Sequence, residues 1–365
     1  MGDLSGFLVG VLVASVMGAH AGSESSQPDE AEHTNDRVWI VEPAPQLHAG
    51  DLLSAVHEVP GGFRAAIVSW NAFTPPGTWL TLSLRAQTAG RWTRWYDMGH
   101  WSSQLSGGHR HSVANQQDAD GSVATDTLDL TAAAQALQVR ATLRHDRATR
   151  RRPTLRLIAV ATDLTSRRSD LSPNRAAWGV DLAVPERSQR TARSSPDALG
   201  GGGDAWCSPA TVSMIMGYWA QSTDHPQWDV TLETAAAGTY DPVYDGCGNW
   251  PFNVAFASEH GLEGWVQRLS GIASLERLIA ARVPVVASIK VGPGELGGAP
   301  YEKTSGHLLV VRGFTPDGDV IVNDPYAMPG SIRRVYGRTQ FEHVWLTGSK
   351  GAVYLIAPPG LLRKP

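Results

Sequence analysis

Near residue 165 the hydrophobic pattern of this chain changes period. From about Arg37 to Thr165 the apolar residues come in short runs, at 65–70, 79–85, 125–130, 137–143 and 154–160. The run at 79–85 alternates strictly, the period at which one face of a strand is buried. Pro75-Pro76-Gly77, Gly107-Gly108 and Asp120-Gly121 punctuate the runs as turns. Many short strands with almost no helical periodicity predict an all-β sandwich or jelly roll over 37–165. A polar, proline-containing stretch at 166–177 reads as a linker.

After it the texture is different. Helical runs are expected at 208–219, 251–260 and 274–281, followed by strands at 283–289, 307–313, 319–322 and 352–356. Helices first and an antiparallel-looking sheet later predict an α+β domain over 178–360. The length of 365 residues suits two such domains, each large enough for its own core. There are 13 tryptophans and only 18% charged residues, too much aromatic surface and too little charge for a disordered chain. Two cysteines exclude a disulfide framework, and a net charge of −4 supplies no general pull toward nucleic acid.

The start of the chain reads as an export signal. Residues 7–17 are apolar apart from Gly10 and Ser15, and Ala19-His20-Ala21 gives the small-x-small pattern of a cleavage site. Eleven residues fall well short of the ~20 that span a bilayer. The expectation is therefore a signal peptide at 1–21, a disordered linker at 22–36 and a secreted mature chain with no membrane span. Asp3 and the absence of Lys or Arg ahead of the apolar run weaken this reading.

Cys207 carries the chemistry. It immediately precedes Ser208-Pro209 and a helical run, and proline fits the first turn of a helix because its missing N–H costs nothing there. The sulfur is thus expected at a helix N-terminus, where free N–H groups and the dipole favour thiolate. A base must come from elsewhere. His307 opens the apolar run Leu308-Leu309-Val310-Val311, and the chain turns at Thr315-Pro316-Asp317-Gly318 before returning to Asn323-Asp324-Pro325. A hairpin centred near Asp317 pairs residues whose numbers sum to about 634, which sets Asp324 within a few residues of the position facing His307. A carboxylate there can fix the tautomer of the histidine and stabilise its charged form. The bland alternative is a Cys207–Cys247 disulfide closing a loop of about forty residues, with His307 a hydrogen-bonded strand-end residue and Asn-Asp-Pro a turn.

Several segments together carry a resemblance. They are Val184-Pro185-Glu186-Arg187-Ser188-Gln189, Trp206-Cys207-Ser208-Pro209-Ala210-Thr211, Gly248-Asn249-Trp250-Pro251-Phe252-Asn253, Ser305-Gly306-His307-Leu308-Leu309-Val310 and Gly318-Asp319-Val320-Ile321-Val322-Asn323-Asp324-Pro325. In their order and spacing, residues from about 184 to 358 resemble the exported stand-alone branch of bacterial cysteine peptidases related to those that process bacteriocin leaders after a double glycine. The resemblance implies a papain-like fold, Cys207 as nucleophile, His307 as general base and acid, and Asp324 as its orienting partner. It implies an upstream glutamine in the oxyanion hole, for which Gln189 is the candidate, eighteen residues away across a glycine-rich insert. It also suggests Trp206, Asn249 and Trp250 as substrate-binding residues, and it calls for no metal and no cofactor.

The activity expected is hydrolysis of peptide or amide bonds through a thioester. A peptidoglycan-peptide amidase using the same three residues is one alternative, and an inactive adhesion protein locked by Cys207–Cys247 is another. In the first half, Trp39, Trp70, Trp79, Trp92, Trp95 and Trp101 read either as core or as a platform for cell-wall glycan. His109 and His111 read as a solvated loop or a metal pair, and Asp118-Ala119-Asp120-Gly121 as a turn lacking most of a calcium loop. The basic loop Arg147, Arg150, Arg151 and Arg152 is a solvated turn or a contact for anionic polymer. A monomer is the default.

Overall fold

The computed structural model describes residues 38–42, 50–163, 171–191 and 199–363. The expected signal peptide, the 22–36 linker and the first part of the 166–177 linker lie outside these residues. The first half contributes β1 (Val38–Val41), β2 (Gly50–Leu53), β3 (His57–Phe73), β4 (Thr78–Thr88), β5 (Arg91–Trp92), β6 (Tyr96–Trp101), β7 (Gln116–Gln117), β8 (Gly121–Ala124), β9 (Thr127–His145) and β10 (Thr154–Thr162). All ten belong to one antiparallel sheet with the main order β1-β10-β3-β9-β4-β5.

The runs at 125–130 and 137–143 turn out to be two parts of one 19-residue strand, β9. Its beginning pairs with β8 and with the middle of β3, and its end pairs with β4 and β2. The β3–β9 register slips twice between Glu58 and Ala65, beside Pro60-Gly61-Gly62. Long strands that change partners at such irregularities are how a β-sheet turns a corner and folds over its own core.

The second half contributes α1 (Cys207–Ser222), α2 (Leu232–Thr239), α3 (Trp250–Glu259), β11 (Glu263–Arg268), α4 (Ile272–Ala280), β12 (Val285–Val291), β13 (Thr304–Phe314), β14 (Val320–Asn323), β15 (Arg333–Tyr336), α5 (Arg338–Ser349) and β16 (Ala352–Ala357). Its strands form a six-stranded antiparallel sheet in the order β11-β16-β12-β13-β14-β15. Helices α1 and α3 are apolar nearly all round because both are sandwiched, and both are buried over almost their whole length. Helix α4, by contrast, is amphipathic and shields one side of the sheet.

The two halves share one hydrophobic core. Trp70 and Trp101, both fully buried, meet Phe252 of α3 edge to face, with ring centroids 6.0 and 5.2 Å away. Asn71 exchanges two hydrogen bonds with the backbone of Gly264, and Val266 N–H donates to Ser69 Oγ at 3.1 Å. Glu259, at the end of α3, accepts from Thr74 and from the Trp101 indole. Polar partners matched across a buried seam leave few groups unpaired, which is what lets a seam of this kind stay closed. The tryptophans therefore divide. Trp70 and Trp101 are core, while Trp92 and Trp95 are half-buried and carry the Arg85 guanidinium at 4.4 and 4.8 Å from their ring centres.

Candidate active site

Cys207 is the first residue of α1, preceded by Trp206 at the cap position. Trp206 offers no cap hydrogen bond to the helix, and its indole N–H donates instead to Leu199 O at 2.8 Å. The first N–H groups of α1 therefore stay open for whatever lies beside the Cys207 sulfur. The segment before the helix makes tight passes. Gly200 has φ of 60°, and a Cβ there would sit 2.4 Å from the Gly246 Cα, so only glycine allows the 199–204 and 245–248 loops to touch.

Across a cavity of about 500 Å³ stands His307, near the start of β13. Its Nε2 lies 2.8 Å from Asp324 Oδ1, and Cys207 is among the groups that act electrostatically on its ring. With Nε2 on the carboxylate, the other ring nitrogen is the one left for the thiol. The β13–β14 hairpin that joins histidine and aspartate has Val310 opposite Asn323 and Phe314 opposite Val320. Those pairs sum to 633 and 634, the register expected from a turn near Asp317.

The Asp324 carboxylate is fully buried, yet accepts four hydrogen bonds. Burial alone would raise its pKa and suppress ionisation, but His307, Tyr336 and the Tyr326 N–H hold it below the ordinary carboxylate range. For His307 burial alone would favour the neutral ring. The Asp324 charge and the hydrogen bond to Asp324 outweigh it, with a smaller contribution from Cys207, so the ring keeps its proton well above its usual range. A buried pair of this kind is an ion pair held by geometry and matched donors, not by solvent.

Both cysteines are free thiols. Cys247 lines the same cavity but is 1% exposed, with its sulfur 3.5 Å from Ala236 O. Burial pushes this thiol up to about 12.

The other expected site residues fare differently. Trp250 lines the cavity, but Trp206 and Asn249 do not. Asn249 is fully buried, caps α3 by accepting from Phe252 N–H, and donates to Asp241 Oδ2 at 3.0 Å. It is buried behind the cleft wall and does not reach the cavity. Gln189 does line the cavity, 1% exposed, but its amide nitrogen donates to Gly203 O at 2.8 Å and Asp204 O at 3.1 Å. Both amide hydrogens are thus occupied, and the unpaired atom is Oε1, an acceptor. An oxyanion needs donors, so in this arrangement Gln189 braces the glycine-rich loop.

In the first half, the His109 ring stacks on Trp79 at 3.7 Å and His111 on His100 at 4.4 Å. Asp118 Oδ1 accepts from the N–H groups of Asp120 and Gly121, which closes a turn.

Sequence reasoning missed the tyrosines. Tyr301, Tyr326 and Tyr336 surround the His307–Asp324 pair, the first two packing edge-on against the imidazole. The spacing Val320 opposite Tyr336 in the β14–β15 pair could have exposed Tyr336. Nothing in the pattern marks Tyr301, which sits in an irregular connection. It also missed the braces from the first half. Asp126 Oδ2 accepts from Trp250 N–H at 2.7 Å, Ser112 N–H donates to Asp241 at 3.0 Å, and the buried Arg110 caps the end of α2 through the carbonyls of Ala237 and Gly238.

Comparisons with known proteins fit this arrangement. Residues 10–163 match the peptidase C39 N-terminal domain, and residues 181–353 match the peptidase C39-like family. A Bacillus anthracis protein described as a C39-like peptidase is 16% identical, over 48% of this chain and 96% of its own, with a TM-score of 0.33. The structure of infectious bursal disease virus, Gt strain, is 11% identical over 39% of this chain and 35% of its own, with a TM-score of 0.21. Both superpose too loosely to bear on function. No curated protein matches the chain.

Proposed function

We propose, from the matches of residues 10–163 to the peptidase C39 N-terminal domain and of 181–353 to the C39-like family, that the chain is an exported cysteine peptidase using Cys207, His307 and Asp324. The supporting observation is the meeting of a half-buried thiol at the start of α1 with a histidine that is backed by a buried carboxylate, in one open cleft. Cys207 attacks the carbonyl of a peptide bond as a thiolate, its proton already resting on the His307 imidazolium. The Cys207 N–H, first in its helix, is the donor placed for the oxyanion. His307 then protonates the leaving amine, and water attacks the thioester with His307 accepting its proton. Asp324 holds the ring in orientation throughout.

The substrate is a peptide or protein chain that enters the cavity lined by Tyr244, Trp250, Tyr301 and Thr304. Export rests on the apolar run at 7–17 followed by Ala19-His20-Ala21. Two measurements test the proposal. Purified full-length protein is expected to cut a peptide library, to lose that activity on treatment with iodoacetamide, and to protect itself from the reagent with bound substrate. Digestion of muropeptides alone would make it a wall amidase, and no turnover with an unmodified Cys207 would reject the enzyme reading. Protein recovered from medium is expected to begin at or beyond Gly22, and an intact Met1 there would reject the signal peptide.

A further inference from the structure

Asp324 is held more tightly than orientation of a histidine requires. Oδ1 accepts from His307 Nε2 at 2.8 Å and from the Tyr326 N–H at 3.0 Å. Oδ2 accepts from the Tyr301 hydroxyl at 3.0 Å and the Tyr336 hydroxyl at 2.8 Å. A carboxylate offers about four acceptor positions, so this one is fully subscribed. A phenol has one proton to give, so each tyrosine spends its only donor here.

The two phenols come from different places. Tyr336 ends β15, is fully buried, and forms the floor beneath the pair. Tyr301 lies in the connection from β12 to β13, lines the cleft, and packs edge-on to the His307 ring at 5.1 Å. The same side chain thus touches the substrate space, the base and the carboxylate.

We propose that Tyr301 and Tyr336 are positioning residues that pin Asp324 through Oδ2, leaving Oδ1 fixed on His307, and that Tyr301 ties this lock to the wall of the cleft. The inference rests on the peptidase reading above. Protein donors suit the task better than water, because water at Oδ2 would exchange and let the carboxylate rotate away from the ring. The four donors match the ionised carboxylate and not the protonated acid, so the lock also resists protonation of Asp324. Both tyrosine hydroxyls are themselves pushed up, by burial first and then by the neighbouring charge, which keeps them as donors at every working pH.

The test is an NMR titration of full-length protein with ring-labelled histidine, with the His307 signal assigned by its loss in His307→Gln. Tyr301→Phe and Tyr336→Phe keep their rings and remove one donor each. In each variant the acid-side inflection of the His307 signal, which reports protonation of Asp324, is expected to move up by about half to one pH unit. In the double variant it moves further. Unchanged signals from the other histidines certify the fold. An acid-side inflection that stays put in folded single variants overturns the lock and leaves the peptidase reading standing. Alkylation of Cys207 that is indifferent to His307→Gln rejects the peptidase reading itself, whatever the tyrosines do.

Discussion

Cys207 and Cys247 face the same cavity and share no chemistry. Cys207 is half-buried, opens α1 and shares the cavity with His307. Cys247 is sealed in a glycine-rich loop, its sulfur turned toward a helix carbonyl and its thiol pushed up to about 12. Two residues of one type in one cleft therefore differ by what surrounds them. A nucleophile needs open helix N–H groups and a charged partner, while carbonyls and dry packing make a small hydrophobe of the same side chain.

The strongest way to break this contrast is Cys207→Ala. Turnover is expected to fall to the residual level left by binding and amide donors, and iodoacetamide at pH 6 should then find no site in the folded protein. Labelling of Cys247 in that folded variant would erase the distinction between the thiols. Next comes His307→Ala, where alkylation of Cys207 at pH 6 is expected to slow by on the order of 100-fold. Peptide mapping of the labelled sites measures both effects.

Asp324→Asn tests the partner behind the histidine, with turnover dropping by roughly 10²–10⁴-fold. It should also carry a pH signature in stability. The His307 ring is raised in the fold, so its stabilising share is complete below about pH 6.5 and fades as pH climbs through the folded value. Asp324 is lowered, so its share is complete above about pH 3.9 and is lost as pH falls through the folded value. The gap in melting temperature between wild type and variant should thus be widest between these limits and narrow on the alkaline side. A gap that widens as pH rises above about 6.5 would contradict the ion pair. The smallest effect belongs to Cys247→Ala, which is expected to cost about 1 kcal/mol of stability through the small void it leaves, with Cys207 still labelled at pH 6.

The site residues that sequence exposed were those set by local rules. Cys-Ser-Pro ahead of an apolar run places a thiol at a helix start, and a hairpin turn at Asp317 fixes which residues lie near His307. Both rules act within a few residues and need no knowledge of the rest of the chain. Trp206 and Asn249 lie outside the cavity lining because each side chain is engaged nearby, with Leu199 O in one case and the α3 start in the other. Gln189 reached the cleft, but its donors went to the loop that the glycine insert built. Tyr301 and the braces Asp126, Ser112 and Arg110 were illegible because they act across long separations in sequence, where no periodicity survives. For the same reason, the strand pattern gave the β-rich texture of the first half but not the length of β9, whose two runs are joined by the alanine-rich stretch Thr131-Ala132-Ala133-Ala134-Gln135 with its weak strand signal.

The braces from the first half have a mechanical corollary. Asp126, Ser112 and Arg110 grip the start of α3, the loop at Asp241 and the end of α2, all behind one wall of the cleft. Jaws that are riveted from behind do not open by swinging one half of the molecule against the other. On the peptidase reading proposed above, a substrate would have to slide into a gap already cut to size, and selection would fall on the thickness of the thread before the letters written along it.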